Sequence, residues 1–336
     1  MRFKITTEIA DLAQYLVDSS HFKFELAYPI AAKVELSDRY PDGQPPKITG
    51  SAVCVATTLG AIEDKEIASE ISKALSKSLG GGWANFKGIH QERMQEVFSA
   101  IDFFYGPLWR LMQSTIAMVR WRIGAAMGAT DPGRELREYL SEDGETWSQI
   151  FTARSATLRY GIPFKKTEAS AALQQEIVDL VSQIGEEPLG RQLFREAWNL
   201  RFSNPRSVLV IGVAAAEVGL KKLIGALVPD AQWLVDEIQA PSLGKMLRKY
   251  LPTLPIKGGL VGKTIRPPRQ LISCLEKAVE LRNKVVHVGE LPPGPDDLER
   301  ILRAVNDFLW ICDCYAGQLW AVPNISVETL SAWEDE

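Results

Sequence analysis

Between residues 21 and 38 the sequence HFKFELAYPIAAKVELSD partly alternates apolar with polar side chains, and residues 47–57 add a second β-prone run. Both stretches are expected to form strands. The period then changes. Residues 61–78 and 90–123 carry apolar positions at helical spacing, parted by Gly80-Gly81-Gly82, and a further short helix is expected after Pro132. The segment Gly161-Ile162-Pro163-Phe164-Lys165-Lys166 reads as a turn, and a domain boundary is placed there.

Beyond that turn the pattern is almost wholly helical. Residues 173–184 and 188–202 read as two helices, and Ser203-Asn204-Pro205 opens a third, with Asn204 as cap and Pro205 at the first helical position. This helix runs to Val228 before Pro229 and is apolar on every side, as suits the centre of a bundle. Its one internal acid is Glu217. A brief basic helix at 243–250, a loop at 251–268, a long helix at 269–288 ended by Gly289 and Pro292-Pro293, and a last helix at 296–320 complete the pattern. The expected fold is mainly α: an α+β domain over residues 1–165, then an all-α bundle of four long helices over 170–322 with an insertion before the penultimate one.

A chain of 336 residues that is 46% hydrophobic can bury two cores. Its net charge of −4 excludes a globally basic nucleic-acid coat, so any phosphate contact must come from a local patch. No continuous apolar region follows Met1-Arg2-Phe3-Lys4, and the most hydrophobic stretches are interrupted by Arg110, Arg120, Arg122 and Glu217. The expectation is therefore a cytoplasmic protein without membrane spans. Cys54, Cys274, Cys312 and Cys314 match no zinc spacing, and buried thiols are expected in place of a metal site. No cofactor is implied.

Candidate chemistry concentrates on the penultimate helix. With about 100° between successive residues, Leu271, Leu275, Ala278, Val279, Val285 and Val286 form an apolar face with Arg282 in its middle. A guanidinium cannot shed its charge on burial, so it needs an acid, of which Glu217 is the simplest, or an interface that leaves its head accessible. Both can hold together. The flank carries Glu276, Glu280, Asn283 and His287. Asn283 and His287 share a face, where the amide could orient the imidazole, while Arg282 and His287 diverge by about 140° on an α-helix. Two copies across a symmetric interface would let each arginine reach toward the other's histidine. A purely structural role for His287 is capping of the helix C-terminus.

The run Arg282-Asn283-Lys284-Val285-Val286-His287 resembles the R-x4-6-H signature of HEPN-domain ribonucleases, including the polar residue after the arginine. The apolar helix 208–227 with its internal acid is similar to a HEPN core helix, and the resemblance covers roughly residues 186–320. It implies a HEPN-like bundle, a homodimer with a composite cleft, and metal-independent RNA cleavage by 2′-hydroxyl attack. Arg282, His287 and Asn283 would be the catalytic residues, with Glu217 in support. Such nucleases often act as toxins or antiviral defence effectors, so an antitoxin or regulatory protein is a possible partner. Non-catalytic HEPN modules, serving in interaction or scaffolding, are the alternative.

Between residues 240 and 270 no acid occurs, while Lys245, Arg248, Lys249, Lys257, Lys263, Arg266 and Arg269 supply positive charge. They are the candidate RNA-backbone contacts, with Tyr250 available for base stacking. A solvated loop or a protein-partner surface would carry the same charge. The string Gly258-Gly259-Leu260-Val261-Gly262-Lys263-Thr264 is not a P-loop: Lys257 stands where its first glycine belongs, and Pro267-Pro268 precede the next helix.

Overall fold

The computed structural model describes residues 2–9, 12, 21–27, 30–41, 44, 46, 52–59, 69, 91–125, 135–141, 143–154, 168–237, 242–259 and 265–334. The chain divides into two compact units, Met1–Glu186 and Glu187–Glu336.

The first unit contains strands β1 (Arg2–Ile9), β2 (Phe22–Leu26), β3 (Ala32–Ser37), β4 (Ala52–Thr58), β5 (Glu135–Ser141) and β6 (Ser148–Arg154). They form one sheet in the order β2-β3-β4-β1-β5-β6, with every neighbouring pair antiparallel. The register sets Phe24 opposite Val34, Val34 opposite Ala56, and Ala56 opposite Ile5. One face is thereby apolar across four strands, and all four residues are buried. Helix α1 (Gln91–Arg122) packs on the sheet, with Leu108, Leu111, Met112, Ile116 and Val119 buried along it, and Phe104 stacks on Phe3 at 5.4 Å between ring centroids.

Three strands depart from the expected pattern, one of them β6, which was not anticipated and pairs with β5. β5 stands where a short helix after Pro132 was expected: burial alternates from Arg137 to Leu140, and pairing with β1 outweighs the helix-start signal of the proline. The central strand β1 was not anticipated, although Phe3, Ile5, Thr7 and Ile9 alternate with Lys4, Thr6 and Glu8. The expected helix at 61–78, apart from Ser69, lies outside the described residues, as does the turn at 161–166.

Helix α2 (Ala171–Gln183) begins at Ser170, whose hydroxyl accepts from the Leu173 amide at 3.2 Å. It was expected to open the C-terminal bundle. It packs instead with the sheet unit, where Gln174 accepts from the Lys23 amide at 2.8 Å and Glu176 accepts from Arg122 Nε at 2.7 Å. The division of the chain therefore falls after Glu186.

The second unit is all-helical among the described residues: α3 (Leu189–Leu200), α4 (Pro205–Leu227), α5 (Gln232–Glu237), α6 (Leu243–Lys245), α7 (Arg269–Asn283), α8 (Pro295–Tyr315) and α9 (Val327–Glu334). The α+β unit followed by helices agrees with the sequence pattern. As expected, Asn204 caps α4, accepting from the Ser207 amide at 3.1 Å, and Pro205 takes the first turn. Helix α4 packs against α3, α7 and α8, which explains its burial from Val208 to Leu227. At Gly190 an added Cβ would lie 3.0 Å from the Ala215 carbonyl oxygen, so the missing side chain permits the close approach of α3 to α4.

The arginine buried in this core is Arg191, only 1% exposed. Its Nη2 and Nε donate to Asp313 at 2.7 and 3.1 Å, Nη1 donates to Asn306 at 3.2 Å, and its plane lies 3.4 Å from the Trp310 ring centroid. Burial pulls its pKa below the ordinary value, and Asp313 opposes that shift. Nearby, buried Arg195 donates to Glu187 at 2.6 Å. The unit extends past residue 322: Asp307 anchors α9 by accepting from the Ser326 amide at 3.0 Å and the Thr329 hydroxyl at 2.6 Å. Among the described residues no helix is long and apolar enough to cross a membrane.

Candidate functional site

Helix α7 buries Leu271, Ile272, Leu275 and Ala278, and its continuation buries Val285. From Lys284 to Val288 the ladder widens into a π turn, and Gly289 ends it in the left-handed region at φ 81°, its amide bonded to the Lys284 carbonyl. The widening alters the geometry expected from a regular helix. Only the steps after Asn283 are widened, so the angle between Arg282 and His287 falls from about 140° to roughly 90° and the two still diverge along one chain. Val286, expected on the apolar face, is 49% exposed, while Ile272 joins the buried stripe.

Arg282 lies at the rim of the core, not in its middle. Its Nη2 donates to Glu217 Oε1 on α4 at 2.8 Å, and the side chains retain 26% and 27% of their exposure. Its Nε is buried without a hydrogen-bond partner among the described residues. A half-exposed pair of this kind contributes about 1 kcal/mol or less, so another anion can compete for the guanidinium. The expected Arg282–Glu217 contact is thus formed while the head stays within reach of solvent.

Asn283 and His287 are exposed. The two share the flank of α7, but no hydrogen bond joins them, and neither side chain has a partner among the described residues. One chain thus offers one imidazole, one carboxamide and one tethered guanidinium at the C-terminal end of α7. Around them Val286, Val288 and Leu291 are 49%, 72% and 86% exposed, an apolar fringe beside polar chemistry.

The basic segment is distributed unevenly. Lys245, Arg248 and Lys249 are exposed on α6 and the π turn that extends it to Tyr250. Arg248 donates twice to Glu276 of α7, from Nε at 3.1 Å and Nη2 at 2.5 Å. Lys257 turns its ammonium onto the Ala226 carbonyl at 3.1 Å, at the C-terminus of α4. Arg266 and Arg269 are exposed, and both have further interactions within the protein. Lys263 lies outside the described residues.

Two features were not foreseen from the sequence. One is Glu276 as the acid that receives Arg248. The other is the Arg191–Asp313 pair, although Arg191 and Arg195 recur with Phe194 and Trp198 on one face of α3, the same signal that singled out Arg282. No protein family, curated protein or solved structure matches the chain.

Proposed function

We propose that the second unit is a HEPN-like endoribonuclease that cleaves RNA without a metal ion, as a homodimer with Arg282, Asn283 and His287 from each copy at the shared cleft. The observation that carries this reading is Arg282 itself: a guanidinium held by Glu217 at 2.8 Å, a quarter exposed, one turn before an exposed histidine. The π turn supports it, because such turns gather at functional sites.

The chemistry follows from the groups. An imidazole takes the proton of the ribose 2′-hydroxyl as the 2′-oxygen bonds to the adjacent phosphorus. The bond from phosphorus to the 5′-oxygen breaks, and an imidazolium returns a proton to that leaving oxygen. Two copies supply the base and the acid together, whereas one chain supplies a single imidazole. The Arg282 fork holds the non-bridging oxygens as charge gathers on them, an effect worth about 3 kcal/mol in the transition state. The products are a 2′,3′-cyclic phosphate and a free 5′-hydroxyl, and the need for a 2′-hydroxyl selects RNA over DNA. The exposed fringe of Val286, Val288 and Leu291 suits burial against a second copy. A toxin or defence effector of this kind would be held in check by an antitoxin or regulatory protein.

A second reading, a non-catalytic HEPN interaction module serving the N-terminal unit, is favoured by the absence of any side chain that orients His287 among the described residues. Incubation of purified protein with labelled RNA and a chelator separates the two. Cyclic-phosphate products that disappear in His287→Ala support the nuclease; intact RNA with wild type and variant alike supports the interaction module.

A further inference from the structure

Arg248, within the basic segment, grips a carboxylate with its fork. Its two bonds to Glu276 have the parallel geometry in which arginine also takes a phosphate. Both side chains are accessible, at 49% and 34%, so the pair is weakly held and exchangeable. The contact is close by construction: Gly244 leaves no room for a Cβ against the Glu276 carboxyl.

Glu276 lies on the stripe of α7 that also bears Glu280, Asn283 and His287, since steps of four, seven and eleven residues return to within about 40° of the same side. Arg248, with exposed Lys245 and Lys249 beside it, therefore stands at one end of the stripe and His287 at the other. At 1.5 Å per residue the separation along the axis is about 16 Å, a span of several nucleotides. Tyr250, 37% exposed, follows in the same π turn and offers a ring for stacking.

We propose that Arg248 is an RNA-backbone contact that leads a single strand along this stripe toward His287, and that Glu276 occupies its fork as an internal phosphate mimic when RNA is absent. The proposal rests on the ribonuclease reading and adds to it an entry point and a built-in competitor. Lys257, spent on the Ala226 carbonyl, takes no part. Glu280 is exposed on the same stripe and has no partner among the described residues, so it adds only an unfavourable charge.

The test measures binding of a fluorescent single-stranded RNA by the full chain carrying His287→Ala, which prevents cleavage. Arg248→Ala should weaken binding about fivefold at 0.1 M salt and flatten the salt dependence by about 0.7 log unit, the value of one phosphate contact. Glu276→Gln should tighten binding severalfold. Glu280→Gln removes the same charge without freeing an arginine and should do less. In the Arg248→Ala background the two glutamine variants should become equal. An unchanged salt slope in Arg248→Ala, or equal effects of Glu276→Gln and Glu280→Gln while Arg248 is present, overturns the proposal. In that case, loss of cleavage in His287→Ala alone would leave the ribonuclease reading standing. A protein that neither binds nor cuts any RNA overturns both and leaves the basic segment as a protein-partner surface. All four substitutions are at exposed or partly exposed positions, and circular dichroism checks that each variant is folded.

Discussion

Removal of Asp313 should destabilise the second unit far more than an ordinary surface substitution. Arg191 is 1% exposed, and Asp313 accepts two of its hydrogen bonds at 2.7 and 3.1 Å. In Asp313→Ala the guanidinium keeps Asn306 at 3.2 Å, the Trp310 ring at 3.4 Å and the weaker pull of the Glu187 charge, but no carboxylate hydrogen-bonded to it in place of Asp313. Breaking one side of a buried pair costs about 3–5 kcal/mol because the other charge is left desolvated. Amide hydrogen exchange along α8 reports the loss without interference from the sheet unit. Amides that exchange only through global opening of the helical unit should do so about 10² to 10⁴ times faster, at about 1.4 kcal/mol per factor of ten. The double variant Arg191→Met/Asp313→Leu should be more stable than Asp313→Ala, since it removes both charges and fills the space with apolar atoms. A change below about tenfold in Asp313→Ala, or a double variant as damaged as the single, would refute the claim that electrostatics and not shape makes this contact costly to break.

Asp307→Ala should release α9, because it deletes the acceptors for the Ser326 amide and the Thr329 hydroxyl; limited proteolysis should clip the C-terminus before the rest of the unit. Lys4 lies with its ammonium 4.0 Å from the Trp147 ring centroid and 5.1 Å from that of Tyr139, and partial burial lowers its pKa to about 8. Between about pH 8 and its ordinary value of 10.5 the unfolded lysine holds a proton that the folded one has released, so this group makes stability rise with pH across that window. The measurable outcome is faster acylation of Lys4 than of exposed lysines at pH 8, read by mass spectrometry; equal rates would contradict the shift. Leu291→Glu, at 86% exposure, should leave the monomer folded but abolish dimerisation and RNA cleavage together, as light scattering and the cleavage assay would show. A monomer that still cleaves would sink the composite cleft.

The elements that followed from sequence are those whose signals are local. Asn204-Pro205 starts α4, Gly289 ends the π turn, and the all-round apolar pattern of 208–227 puts α4 at the centre of its unit. The strand at 135–141 depends on a partner far away in the chain, and the strand at 148–154 pairs only with that strand. Glu135-Leu136-Arg137-Glu138 has weak intrinsic β character, and β1 supplies its pairing across more than a hundred residues. The ownership of α2 was hidden for a related reason: its periodicity shows an apolar face but not which unit meets it, a matter settled by contacts such as Gln174 with Lys23.

The candidate site was legible to the extent that a charge on an apolar stripe is legible. Arg282 stood out for this reason, and the single internal acid of α4 named its partner. The same rule, applied to Arg191 and Arg195 on α3, would have marked the buried network as well. What periodicity could not supply is the change of pitch after Asn283, since no residue in Lys284-Val285-Val286-His287-Val288 encodes an i→i+5 ladder by type. The wider turn reduces the angle between Arg282 and His287 without bringing them to one side of the helix, and Val286 lies exposed beside them. If a second copy covers the fringe, the interface that buries Val286, Val288 and Leu291 is also the surface on which two imidazoles and two guanidiniums meet, so that dimerisation and assembly of the catalytic groups would be a single event.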